Sequence, residues 1–158
     1  MRRRREPYFQ DTPGEPVPVS VTVHHKVMFS EVDALAIGWH GHALRFFELA
    51  QTALMDKIGL TYQRYREVGI GAPMATAHVD YLLPLMLDDS LAITATLHWH
   101  DGARLNVEYQ IQNQRGEVCV TGYTVQMFYD YLTHEPCFVT PALVLEMQER
   151  WKRGEFHD

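Results

Sequence analysis

The chain has 158 residues, 46% hydrophobic and 22% charged, the profile of one ordinary domain with a single core and no room for a separate cofactor domain. Its longest mainly apolar stretch, around Tyr81 to Met86, is far shorter than the roughly 20 residues of a membrane-spanning helix and stops at Asp88 and Asp89, so no membrane partner is expected. A formal net charge of -6, with four of the fourteen basic residues crowded into positions 2–5, argues against a nucleic-acid groove.

No apolar run of signal-peptide length follows that arginine run, so the cytoplasm is the expected location. Residues 1–18 hold four of the eight prolines, which deny the backbone both helix and central strand, so this stretch reads as an extended lead-in with a solvated arginine tail. The folded domain is expected over residues 19–158. It opens on VSVTVHHKVMF, where Val19, Val21 and Val23 alternate with smaller or polar residues in strand fashion. From His42 to Ile58 neither Gly nor Pro interrupts, and Leu44, Phe47, Ala50, Leu54 and Ile58 recur at helical spacing, joined by Phe46, Leu49 and Ala53. Gly59 is placed to stop this long helix, and TYQRYREV adds a short second one closed by Gly69.

Four β-rich segments follow: APMATAHVDYLLP, SLAITATLHWH, RLNVEYQIQN and EVCVTGYTVQMFYDYL, with turns at Asp101-Gly102 and Arg115-Gly116. Pro141 and ALVLEMQERWKR predict a final amphipathic helix. The order predicts an α+β domain, a long central helix wrapped by a curved four-stranded antiparallel meander. Cys119 and Cys137 are too few and too isolated for a disulfide framework or a zinc site, and Cys119 lies in an apolar run that predicts a core thiol.

The segment richest in reactive groups is FSEVDALAIGWHGHALRFFELA, which places Glu31, Asp33, His40 and His42 in and around the loop that feeds the long helix. First-turn amides of a helix lack internal partners and sit at the positive end of its dipole, so they can polarise a carbonyl while Asp33 serves as base or nucleophile. The same spacing also suits a turn-forming Asp and a capping His, and chemistry alone leaves both readings open. His98 and His100 share one face of a strand, but no third ligand follows at a recognisable spacing, and the adjacent turn suggests an exposed strand end without metal. His24 and His25 point to opposite faces.

The runs VDALAIGWHGHALRFFELAQTALMDKIGL, VDYLLPLMLDDSLAITATL and RLNVEYQI resemble the 4-hydroxybenzoyl-CoA thioesterase family of hotdog-fold acyl-CoA thioesterases, including its short-chain acyl-CoA branch. The likeness extends from about Val21 to Tyr131. It implies a hotdog fold, no cofactor, an acyl-CoA substrate, and self-association as a homodimer or homotetramer with clefts between subunits. It also implies that Asp33 is the catalytic carboxylate and that the amides of His40 and Gly41 polarise the thioester carbonyl, with the His40 side chain assisting. Trp39 matches the family's aromatic, and Trp39, His42 and Arg104 are the candidate substrate-binding residues. The family usually has Gly where this sequence has Ala36, and a Cβ there can alter the loop.

A different hotdog branch carries its carboxylate on the central helix, which makes Glu48 the alternative catalytic residue; here Glu48 is read as an oriented structural carboxylate and Glu31 as structural or electrostatic. Rival functions are a hotdog enzyme for carrier-protein-bound acyl or polyketide chains, an enoyl-thioester hydratase using His40 with Glu48, and a non-catalytic acyl-ligand-binding module.

Overall fold

The computed structural model describes residues 7–157. In chain order its elements are β1 (Val19–Lys26), α1 (Ala43–Ile58), α2 (Tyr62–Val68), β2 (Ile70–Gly71), β3 (Met74–Tyr81), β4 (Ser90–His98), β5 (Arg104–Gln112), β6 (Val118–Met127), β7 (Tyr129–Asp130), β8 (Glu135–Pro136) and α3 (Ala142–Lys152). Two 3-10 turns, Phe29–Glu31 and His40–His42, lie between β1 and α1, and the second leads directly into α1.

The long helix forms where helical spacing placed it and stops at Gly59, whose φ of 81° is the left-handed conformation that a residue with a Cβ resists. Its buried face is Ala43, Phe46, Phe47, Ala50, Leu54 and Ile58, whereas Leu44 and Leu49, expected inside from their spacing, are exposed. The sheet covers only one side of the helix, so the flanks of a wide apolar stripe remain outside. α2 begins on Thr61, whose hydroxyl accepts from the Arg64 amide, and ends on Gly69.

β1, β4, β5, β6 and β3 form, in that order, a five-stranded antiparallel sheet. Alternate residues of the two central strands, Leu91, Ile93, Ala95 and Leu97 on β4 and Leu105, Val107, Tyr109 and Ile111 on β5, are buried. Phe47 stacks on Tyr109 with ring centroids 4.4 Å apart, and Gly122 of β6 leaves room for it, since a Cβ there would run into the Phe47 ring.

The expected four-stranded meander is therefore corrected: only β4, β5 and β6 follow one another. β3 pairs with β6 and not with β4, its sequence neighbour, and β1 takes the place beside β4. The chain leaves β1, runs along α1 and returns at the opposite edge, so the connection over residues 82–89 must cross back beneath the start of α1. That crossing is tied down by Gly38 N to Leu85 O (2.6 Å), Leu87 N to Ala36 O (3.0 Å) and Val27 N to Asp89 O (2.9 Å). The last β-rich segment also breaks at Phe128, after which β7 leaves the main sheet and pairs with β2 and β8.

α3 follows Pro141 and packs through Val144, Met147 and Trp151, with the Trp151 indole donating to Val17 O (2.7 Å). The lead-in is less free than its prolines suggest. Residues 7–18 form neither helix nor strand until Pro18, but Tyr8 bonds to Asp80 and Thr121, the Phe9 amide to Glu108 and Asp11 to His98, which fastens them to the sheet. The arginine run at positions 2–5 lies outside the described residues. Cys119 is buried and Cys137 half-buried, both as free thiols, and burial pushes both thiol pKa values up.

Candidate active site

The loop before α1 is a small hairpin built on Glu31 and Asp33. Glu31 is 3% exposed, and its carboxylate accepts from the Met28 amide (2.8 Å) and faces His25 Nε2 at 2.8 and 3.0 Å. Burial pushes this carboxyl up, but the Met28 amide, the His25 hydrogen bond and the charges of His25 and Arg45 together outweigh it and leave its pKa below the ordinary value. The Glu31 carbonyl accepts from the Trp39 amide (2.9 Å), so the buried acid end and the helix-proximal end of the loop are joined. Glu31 thus ties β1, through His25, to the start of the loop.

Asp33 stands at the tip of this hairpin. Its Oδ1 accepts from the amides of Leu35 (2.8 Å) and Ile37 (3.2 Å), while its own amide donates to Ile37 O (2.8 Å). Both turn bonds fall on one carboxylate oxygen, so Asp33 forms the turn without committing Oδ2 to it. The two readings left open by the sequence are therefore compatible. Ala36 has φ 61°, the left-handed region, which explains why glycine suits this position; the alanine accepts strain and preserves the turn.

Asp33 borders an open cleft of about 400 Å³, whose wall also includes Trp39, His40, Phe46, Tyr81, Leu83, Leu85 and Val120. The floor is the crossing segment 82–85, and the upper wall is the start of α1. In the 3-10 turn the first internal bond runs from His42 N to Trp39 O (2.9 Å), so the amides of His40 and Gly41 precede the ladder of turn bonds. Trp39 packs against the His40 ring at 5.0 Å and the His42 ring at 5.4 Å, and a Cβ on Gly41 would collide with its indole. The Tyr81 hydroxyl donates to the His40 carbonyl (2.6 Å).

Of the residues selected from the sequence, Asp33, Trp39 and His40 line one cleft, and Gly41 and His42 continue the same turn just behind it. Arg104 is not brought there: it opens β5, and its guanidinium Nε donates to Asn106 Oδ1 (2.9 Å). Glu48 lies on the exposed side of α1, outside the cleft wall of its own chain. His98 reverses the expectation of an exposed strand end. It is 7% exposed, with Nδ1 2.9 Å from Asp11 and Nε2 3.4 Å from Glu108, because the N-terminal segment covers it. Among the described residues no group of three His, Cys, Asp or Glu side chains is arranged to hold a metal ion, and no helix is long and apolar enough to cross a membrane. Tyr81, Leu83 and Leu85 were not among the site residues selected from the sequence. Their only signal is an aromatic closing an alternating strand before Leu82-Leu83-Pro84, and that also describes simple framework.

A long helix packed on a five-stranded antiparallel sheet, followed by a C-terminal helix, is the architecture of the hotdog class of α+β folds. The chain belongs to the thioesterase-like superfamily, whose family model matches residues 27–148. It is similar to a Bacillus subtilis protein that carries an acyl-CoA thioesterase name, YneP, with 22% identity over 111 residues, 70% of this chain and 80% of that one. It is also similar to a 1,4-dihydroxy-2-naphthoyl-CoA hydrolase of Thermosynechococcus vestitus, with 25% identity over 107 residues, 67% and 70% of the two chains. Among solved structures, a DHNA-CoA thioesterase from Staphylococcus aureus superposes with a TM-score of 0.73 at 20% identity, covering 85% of this chain and 95% of that one, which supports the shared fold.

Proposed function

We propose that this chain is a hydrolase of acyl-CoA thioesters, of the type represented by the 4-hydroxybenzoyl-CoA thioesterase family, with Asp33 as its catalytic carboxylate. The observation that carries the reading is that the Asp33 carboxylate and the start of α1 border the same apolar-floored cleft. A thioester carbonyl placed there would meet the His40 and Gly41 amides on its oxygen and Asp33 on its carbon side. As general base, Asp33 takes a proton from water while the water oxygen bonds to the carbonyl carbon; the C–S bond then breaks, and the thiolate leaves with its electron pair and takes up a proton. As nucleophile, Asp33 would itself bond to that carbon, expel the thiolate and be regenerated by water. Either course consumes one water and yields a carboxylic acid and CoA. On this reading the His40 side chain, which is exposed and lines the cleft, protonates the thiolate, and Trp39 and His42 contact the substrate.

Ala36 adopts the glycine-like conformation, which supports an intact catalytic turn and speaks against the binding-module reading. The acyl-CoA names of the curated relatives favour CoA over a carrier protein. We further propose that the working unit is a homo-oligomer. β3 forms one edge of the sheet and is exposed over most of its length, an edge that a second copy can pair.

The test is hydrolysis of acetyl-, hexanoyl-, oleoyl- and benzoyl-CoA by wild type, Asp33→Asn and Asp33→Ala, with the mass in solution read by light scattering. Asn retains a turn acceptor at Oδ1 and should abolish turnover at nearly wild-type stability, whereas Ala should also lose about 1–2 kcal/mol from the two turn bonds. Turnover by Asp33→Asn at the wild-type rate would remove Asp33 from the mechanism, and a particle of 18.3 kDa would remove the oligomer.

A further inference from the structure

Resting on that functional reading, we propose that Tyr81 is a positioning residue for the carbonyl-polarising amide of Gly41. A peptide unit is planar and trans, so its carbonyl and its amide N–H point in opposite directions and turn together. The unit joining His40 to Gly41 carries both the carbonyl that accepts from Tyr81 Oη at 2.6 Å and the Gly41 amide. Holding the oxygen therefore sets the direction of the N–H, which in a helical turn points out of the helix start.

The holder is itself fixed. Tyr81 ends β3 in register with Val120, and the next two amides, Leu82 and Leu83, both donate to Cys119 O at 2.8 and 3.1 Å. Its hydroxyl is thus anchored to the sheet while the bonded carbonyl belongs to the lead-in of α1. On the glycine side the Trp39 indole fills the space a Cβ would take, and the Ala43 amide also donates to the His40 carbonyl, so the unit is restrained at three points, of which the Tyr81 hydroxyl is the one supplied by the sheet. An amide aimed in advance loses nothing to reorientation as negative charge grows on the thioester oxygen, which is the condition under which such donors accelerate acyl transfer. A contribution made only in the transition state lowers kcat and leaves KM nearly unchanged when it is removed. Because Tyr81 is 56% exposed, loss of its hydroxyl should scarcely move global stability, which separates positioning from a merely structural role.

The experiment uses the full-length chain and Tyr81→Phe, which keeps the ring and deletes the hydroxyl. With the acyl-CoA of the panel that shows the highest kcat/KM, kcat should fall about tenfold, with KM within about twofold and Tm unchanged. The same thioester, labelled with ¹³C at its carbonyl, is then bound to Asp33→Asn with and without Tyr81→Phe, and its stretching band is read by infrared difference spectroscopy. The expected result is a band lowered on binding to the single variant and returned toward its free position in the double variant. Wild-type kcat in Tyr81→Phe, an unmoved band, or a rise in KM alone would overturn the positioning role while leaving thioester hydrolysis standing. Absence of hydrolysis by wild type across the panel would overturn both.

Discussion

Glu31 is the residue on which the Asp33 hairpin rests, and Glu31→Gln isolates its charge with little change of shape. Gln keeps an oxygen to accept from Met28 but replaces the charge-assisted contacts with weaker neutral ones. Hydrogen bonds to a charged group contribute roughly 1.5–3 kcal/mol and neutral ones about 1 kcal/mol. Converting the contacts to Met28 at 2.8 Å and His25 at 2.8 Å should therefore cost about 2 kcal/mol in all. In a domain of this size that is a fall in Tm of roughly 4–8 °C.

The pH dependence is the sharper readout. Folding lowers the Glu31 pKa from 4.5, so between the folded and unfolded values the unfolded chain binds more protons. The carboxylate's stabilisation is therefore fully present above pH 4.5 and is lost as pH falls through the lowered folded value. Gln has no such proton, so thermal melts of wild type and Glu31→Gln should be furthest apart near neutral pH and draw together in acid. A Tm gap that stays constant as the pH drops, or no gap at neutral pH, would show that the carboxylate does not hold the loop.

Ala36→Gly relieves a left-handed Cβ worth roughly 1–2 kcal/mol, but frees the unfolded chain by about 0.4–1 kcal/mol, so urea denaturation should show a net gain of up to about 1.5 kcal/mol. Loss of stability would mean that the turn does not need the conformation seen. Gly41→Ala drives a methyl into the Trp39 indole; kcat should drop more than about tenfold while chemical denaturation shows a loss of only about 1–3 kcal/mol from a crowded but open site. Full activity in this variant would show that the indole is free to move aside.

Much of this protein is legible in the sequence because its information is local. The stop at Gly59 requires only a left-handed residue after the last apolar repeat, Thr61 and Gly69 bracket α2 by their own chemistry, and Val19 begins a strand through β-branched alternation. The hairpin chemistry is local too: an Asp whose side chain bonds amides two and four residues on marks its own turn, which is why Asp33, Trp39 and His40 could be selected together.

Tertiary structure decided what depends on distant partners. Alternation in β3 shows that it is a strand but not whether it pairs with β4 or β6, since either neighbour satisfies the same backbone groups. That choice sends the 82–89 connection back under α1 and so makes the floor of the cleft. Packing likewise put Leu44 and Leu49 outside a stripe that periodicity drew inside, and covered His98 with Asp11, 87 residues away in the chain. The bond from Tyr81 to His40 belongs to this second kind, because it spans 41 residues and exists only once β3 lies at the far edge of the sheet. The sequence by itself set the acid, the helix and the order of reactive groups between them; the tertiary structure supplied the wall opposite, since only strand pairing brings that segment to the helix start.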